Sequence, residues 1–105
     1  MVIYEVNLNI NNDIYQDYYK WLLEHVEQIL KFDGFKKAEI GLIEHDGSDG
    51  QKRIRVSYVI SAYHDLENYL TYHAPSMRAD SIEKFGTQFS ASRRIILESI
   101  TLESR

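Results

Sequence analysis

The sequence predicts an α+β fold of order βαββαβ, in which a four-stranded antiparallel sheet carries two helices on one face. Three observations predict it. The chain opens on a strict two-residue alternation, it contains two long stretches of helical spacing, and a turn-rich HDGSDG segment joins two strand-like runs between them.

In the first run, Val2, Tyr4, Val6, Leu8 and Ile10 fall on one face, while Ile3, Glu5, Asn7 and Asn9 fall on the other. The even positions are the core face. Asn11–Asp13 then offers side chains suited to cap a helix, and the spacing changes to that of a helix. Ile14, Tyr15, Tyr18, Tyr19, Leu22, Val26, Ile29 and Leu30 fill one arc, opposite Gln16, Asp17, Lys20, Glu24, Glu27 and Gln28. This helix is expected to run about five turns, with Gly34 as the residue that ends it.

Strands are expected over Phe35–Glu44 and Arg53–Ala62. Ala38, Ile40, Leu42, Ile54, Val56, Tyr58 and Ile60 belong on their core face, opposite Glu39, Gly41, Arg55 and Ser57. A second helical pattern covers Asp65–Phe85, with Leu66, Leu70, His73, Met77, Ser81 and Phe85 near one face and Gly86 closing it. The only proline, Pro75, interrupts this pattern. Either the helix interior is strained there, at roughly 3 kcal/mol, or one helix stops near His73 and another starts with Pro75 in its first turn. The last strand, Ser90–Glu103, has apolar residues on both sides, and its faces stay unassigned. The whole order is that of a ferredoxin-like domain, a single unit over residues 1–105.

Composition narrows the function classes. A chain of 105 residues with 44% hydrophobic content closes one core and no more. Twelve basic residues against sixteen acidic ones leave a net charge of −4, so no basic field exists to hold a nucleic-acid backbone. The opening residues lack the pattern of a secretory signal, and no stretch reaches the roughly 20 apolar residues of a membrane span. The absence of cysteine removes disulfides, thiolate catalysis and cysteine-ligated metals, and it suits the cytoplasm. No metal is expected, because the histidines are not paired at ligand spacing and HDGSDG lacks the acidic pattern of a calcium loop. Nothing in the sequence asks for a cofactor: it has no phosphate-cradling glycine loop and no nucleophile elbow.

With both helices on one side, the second sheet face carries Ile3, Glu5, Asn7, Asn9, Glu39, Ile43, Arg55, Ser57 and Val59. That surface is too apolar to be purely solvated and too polar for a dry core. A second copy of the chain is expected to cover it, with Glu5 meeting Arg55 on the adjacent strand.

Four segments carry a family resemblance: VIYEVNLNI at the start, WLLEHV in the first helix, YLTYHAPSMRAD in the second, and FGTQFSASRRIILE leading into the last strand. With them the sequence resembles the dimeric α+β barrel superfamily, and within it a bacterial family catalogued as a domain of unknown function. The resemblance implies a homodimer whose two sheets form a barrel. Superfamily members include metal-free monooxygenases, haem-degrading enzymes and stress-response barrels. The haem-degrading type uses an asparagine on the first strand, a histidine on the second helix and a tryptophan late in the third strand. Asn7 and His73 match the first two, but the third strand ends in VISAY and the only tryptophan, Trp21, lies in the first helix. That departure argues against haem chemistry.

The candidate ligand-binding residues are His73, Arg78, His25, Trp21, Tyr72, Asn7 and Arg55. In the functional reading the break at Pro75 opens a pocket, where His73 moves protons and Arg78 binds an anion. In the plainer reading His73 is a core histidine bonded to backbone, and Arg78 pairs with Asp80 or Glu83. His25, one turn from Trp21 and Leu22, is either a satisfied core residue or a neighbour of His73 around a common cavity. Tyr15, Tyr18, Tyr19, Tyr69 and Tyr72 are core and rim aromatics, or the lining of that cavity. Arg93 and Arg94 read as strand-edge charge.

Two functions follow. One is a homodimeric binding or structural module with a pocket for a small aromatic or acidic ligand. The other is a metal-free monooxygenase or isomerase, with His73 or His25 as base and Asn7 or Arg55 polarising an oxygen.

Overall fold

A computed structural model describes residues 1–105. The alternating first run forms β1 (Val2–Asn11), and a single 3-10 turn (Asn12–Ile14) leads into α1 (Tyr15–Ile29). There follow β2 (Phe35–Ile43), β3 (Gln51–Ile60), α2 (Tyr63–Tyr72), α3 (Ala74–Phe85) and β4 (Phe89–Ile96). The sheet runs β2-β3-β1-β4 and every neighbouring pair is antiparallel. This is the ferredoxin-like arrangement.

β1 is paired along its whole length with β3, from Val2 opposite Ile60 to Asn11 opposite Gln51. Its even residues meet the helices: Val2, Tyr4, Leu8 and Ile10 are buried together with Ile54, Val56, Tyr58 and Ile60 of β3. Tyr18, Leu22, Val26 and Ile29 of α1 and Leu66 and Tyr69 of α2 close the core from above. The molecule measures 40 × 37 × 19 Å, a thin slab of one helical layer on one sheet, so the second sheet face has no layer over it.

The structure departs from the sequence expectations at the element ends. The regular part of α1 is 15 residues rather than five turns. Asn11 does not cap it, because its Oδ1 accepts a hydrogen bond from Gln51 Nε2 at 2.9 Å across the sheet. Gly34 is not the residue that ends the helix. Leu30 follows Ile29 still in right-handed helical geometry, two further turns bring the chain to Phe32, and Gly34 supplies the positive φ of 85° that enters β2. Leu42, expected in the core, is 66% exposed, because β2 is an edge strand and Leu42 lies beyond the helical cover. β4 stops at Ile96 rather than Glu103, since Ile96 already faces Ile3 and β1 begins at Val2. Residues beyond it have no strand left to pair with.

The second helical pattern is two helices. The chain breaks at His73 (φ −122°, ψ −37°), and Pro75 sits in the first turn of α3, where a missing N–H costs little. The His73 carbonyl accepts the Ser76 hydroxyl at 3.0 Å and the Met77 N–H at 3.2 Å. Ala74 is wholly buried at the joint, while His73 is exposed and stacks on Phe32 with ring centroids 4.2 Å apart. His73 is therefore not the core-facing histidine that the helical spacing implied.

Gly34 is also a point of close approach: a Cβ built there overlaps the Asp65 carboxylate. Its left-handed φ and this overlap act together. Gly34→Ala is expected to cost about 1–3 kcal/mol, read as a lower urea midpoint with an unchanged slope.

Candidate functional site

The helix layer does not seal the sheet completely. A cavity of about 50 Å3, room for a few water molecules, lies between the centre of the sheet and all three helices. Its floor is Tyr4, Val6 and Leu8 of β1 with Val56 and Tyr58 of β3. Its roof is Tyr18, Trp21, His25 and Ile29 of α1, Tyr69 of α2, and Met77, Arg78 and Ser81 of α3. Phe89 and Arg93 of β4 form the rim.

Each polar member has a cause for its position. Trp21 and His25 lie one helical turn apart on α1 and stack at 4.4 Å, 24° from parallel. The indole N–H donates to Asp80 Oδ2 of α3 at 3.1 Å, which fixes the ring across the helix pair. Arg78 Nη2 donates to the Tyr4 hydroxyl at 3.1 Å, tying α3 to β1. It does not pair with Asp80 or Glu83, because Asp80 is engaged by Trp21 and Arg78 points down to the sheet. Among the cavity's phenols, only Tyr4 takes part in a hydrogen bond within the protein. Burial raises Tyr18 and Tyr58 far above the ordinary phenol range and pushes Tyr69 up to about 12. All three are neutral O–H groups at neutral pH. Burial also lowers His25 below its ordinary 6.5, partly opposed by the nearby Asp80 carboxylate, so the imidazole lining the cavity is uncharged.

The seven candidate residues fall into three places. Trp21, His25 and Arg78 line this cavity. His73 and Tyr72 line a different, open groove with Lys31, Asp33, His64 and Asp65, and Tyr72 is 74% exposed. His25 and His73 do not share a cavity. Asn7 and Arg55 pair across β1 and β3 on the other side of the sheet. There Asn7 Nδ2 donates to Glu5 Oε1 at 3.1 Å, and Arg55 lies 4.0 Å from Glu39. Glu5 does not pair with Arg55 as expected. The register sets it opposite Ser57 and Arg94, and Arg94 Nε donates to its Oε1 at 2.7 Å. The sequence reading missed Tyr4, Tyr58, Met77, Ser81 and Arg93. Arg93 needed the register, which sets it opposite Val6, a core-face position, because the last strand is apolar on both sides. No group of three or more His, Asp or Glu side chains gathers to hold a metal ion, and no helix is long and apolar enough to cross a membrane.

No curated protein matches the sequence. The model of one family, described as Domain of unknown function (DUF4286), matches residues 1–100. The chain belongs to this family. Among solved structures, the DUF4286 chain is similar to a dimeric ferredoxin-like protein from an uncultured marine organism, at 12% identity and TM-score 0.71 over 98% of this chain and 100% of that one. It is similar as well to a mutant of SnoaB, a cofactor-independent oxygenase from Streptomyces nogalater, at 9% identity and TM-score 0.66 over 98% of both chains. An ethyl tert-butyl ether d (ethd) family protein from Bacillus halodurans is similar at 14% identity and TM-score 0.64, over 94% of this chain and 100% of that one. These are likenesses of fold.

His25 makes the DUF4286 domain sensitive to acid. Its folded-state pKa lies below the unfolded 6.5, so the unfolded chain binds the proton first. The stability His25 contributes is complete above 6.5 and is lost as pH falls toward its folded value. Urea midpoints measured from pH 7.5 downward are expected to drop through this window in the wild type, and the His25-dependent part of the drop is expected to vanish in His25→Gln.

Proposed function

We propose that this DUF4286 protein is a cytoplasmic homodimeric binding module whose pocket, beneath Trp21 and His25, takes a small aromatic or acidic ligand. One observation carries the pocket: a cavity at the centre of the domain is walled by aromatic side chains and bordered by three phenols with no protein partner. The polar side-chain atoms sealed off without a partner belong to Arg53 and Arg55, so these phenol hydroxyls stay accessible to a polar ligand atom.

The dimer rests on the uncovered sheet face. Glu5, at its middle, is only 5% exposed, flanked by Asn7 and Arg94, while Ile3 and Val59 lie beside it on paired strands. Arg53 Nη1 and Arg55 Nε, on the same strand face, are buried without partners. A face that mixes apolar residues with both signs of charge is complementary to a copy of itself turned about a two-fold axis. The similar marine protein is itself described as dimeric. Sedimentation at micromolar concentration is expected to give twice the 12.4 kDa of one chain, and Val59→Arg, on the central strand β3 opposite Ile3, is expected to give the monomer.

A second reading is favoured by the neutral imidazole of His25 beside the cavity, on a fold that a cofactor-independent oxygenase also uses. In it His25 takes a proton from the bound ligand. Asn7 and Arg55 have no part in that reading within one subunit, since they lie across the sheet from His25. A thermal-shift screen of aromatic acids and quinones tests both. Ligands are expected to raise the midpoint of the wild type, His25→Gln is expected to keep that response if the pocket only binds, and His73→Ala is expected to respond like the wild type.

A further inference from the structure

Arg93 stands at the rim of the cavity from an edge strand, and what it does there is not explained by packing. An outer groove of about 430 Å3 runs between α3 and β4, lined by Ile82, Gly86, Thr87, Ser90 and Ala91. It shares Arg78, Ser81, Phe89 and Arg93 with the inner cavity, so these four residues form the boundary between the two. Neither the cavity nor the groove is lined by an aspartate or glutamate. The ion pairs of the molecule involve His45, Arg53, Arg55, His64 and Arg94, and neither Arg78 nor Arg93 is among them. The carboxylate felt nearby, Asp80, accepts the Trp21 indole N–H. Arg93 is exposed, and its positive charge is felt at Tyr18, His25, Tyr58 and Tyr69 alike, so it stands on the solvent side of the mouth.

Two guanidinium groups line both the cavity and the groove while no carboxylate does, so an anion at their shared boundary would meet two charge-assisted donors. The acidic chain as a whole, at net −4, makes this local excess of positive charge more telling. Size decides how a ligand would lie. The inner cavity, about 50 Å3, is well below the roughly 150 Å3 that takes up a benzene ring. An aromatic ligand therefore has its ring in the outer groove and its ionised group at the boundary, facing the inner cavity.

We propose that Arg78 and Arg93 form an anion clamp at the mouth of the pocket, and that the ligand is an aromatic monocarboxylate entering between α3 and β4. This deepens the binding reading above and rests on it. Ser81 is within the same boundary, but its hydroxyl donates to the Arg78 carbonyl at 2.7 Å, so it shapes the α3 side rather than binding the anion.

The test uses the full chain and the single indole N–H signal of Trp21, the only tryptophan, which lines the cavity. 1-Naphthoate and its neutral counterpart 1-naphthalenemethanol are titrated against 15N-labelled protein. Naphthoate is expected to shift the indole signal saturably and to bind more tightly than the alcohol. Arg93→Gln, at an exposed edge-strand position, is expected to weaken naphthoate by about tenfold to a hundredfold and leave the alcohol unchanged. Arg78→Lys keeps a charge and loses the fork, and it is expected to weaken naphthoate by a smaller factor. Equal affinity for the two probes, unchanged in Arg93→Gln, overturns the clamp and leaves the pocket standing. No movement of the Trp21 signal with either probe overturns the pocket and the clamp with it.

Discussion

The pairing of β1 on both edges is the constraint from which the rest follows. Because β3 and β4 both hydrogen-bond to it, β1 cannot slip by one residue without carrying every side chain to the wrong face. Its register is fixed by ten partners on β3 and eight on β4. Tyr4, Val6 and Leu8 are thereby held under the helices as the cavity floor, while Glu5 and Asn7, the residues between them, are held on the opposite surface. One strand thus presents two unrelated chemistries, an aromatic floor and a polar network, separated only by the thickness of the sheet.

The helix layer explains why the floor is left partly uncovered. The break at His73, one of the two outcomes that Pro75 left open in the sequence, divides the second helical pattern into α2 and α3, and the two halves do different work. α2 packs Leu66 and Tyr69 into the core, whereas α3 buries only Ala74 and Ser81 fully. α3 is held to the rest by point contacts, chiefly Arg78 on Tyr4, Asp80 on Trp21, and Phe85 against Tyr18 at 4.9 Å. A helix attached in this way spans the sheet without filling the space beneath it. Pro75 contributes by starting α3 afresh, with the backbone at His73 already out of helical geometry.

The alternation of β1 and the hairpin faces could be read directly, since a period of two is a local property of the sequence. So could the helical arcs of α1, where Tyr18, Leu22, Val26 and Ile29 are buried as spaced. What could not be read were outcomes that depend on a distant partner. Asn11 looked like a cap until Gln51 competed for its side chain across the sheet. The end of β4 is set by where β1 begins, and the exposure of Leu42 is set by β2 lying at an edge. His73 illustrates the limit for the site. Its spacing put it on the apolar arc of one continuous helix, and the break at that same residue turned it outward onto Phe32. His25 was legible as a candidate because helical spacing puts it in the apolar arc one turn from Trp21, and Arg78 because it follows the break at Pro75. Their convergence with Tyr4 and Tyr58 needed the register.

Arg93 and Arg94 show how far one residue of alternation can separate two roles. They are adjacent, equally charged and on the same edge strand, and the sequence gives no reason to treat them differently. The register does: Arg94 stands opposite Glu5 and Arg93 opposite Val6. Arg94 is therefore neutralised by a carboxylate whose pKa is lowered by the Asn7 and Arg94 hydrogen bonds. Arg93 reaches the other face, where its charge is felt at the phenols of Tyr18, Tyr58 and Tyr69 and at the imidazole of His25. A guanidinium that stabilised the fold alone would be expected to find an acid, as its neighbour did. The difference between the two arginines is the difference between the two sheet faces: one holds a carboxylate in reach and the cavity side holds none among its lining residues.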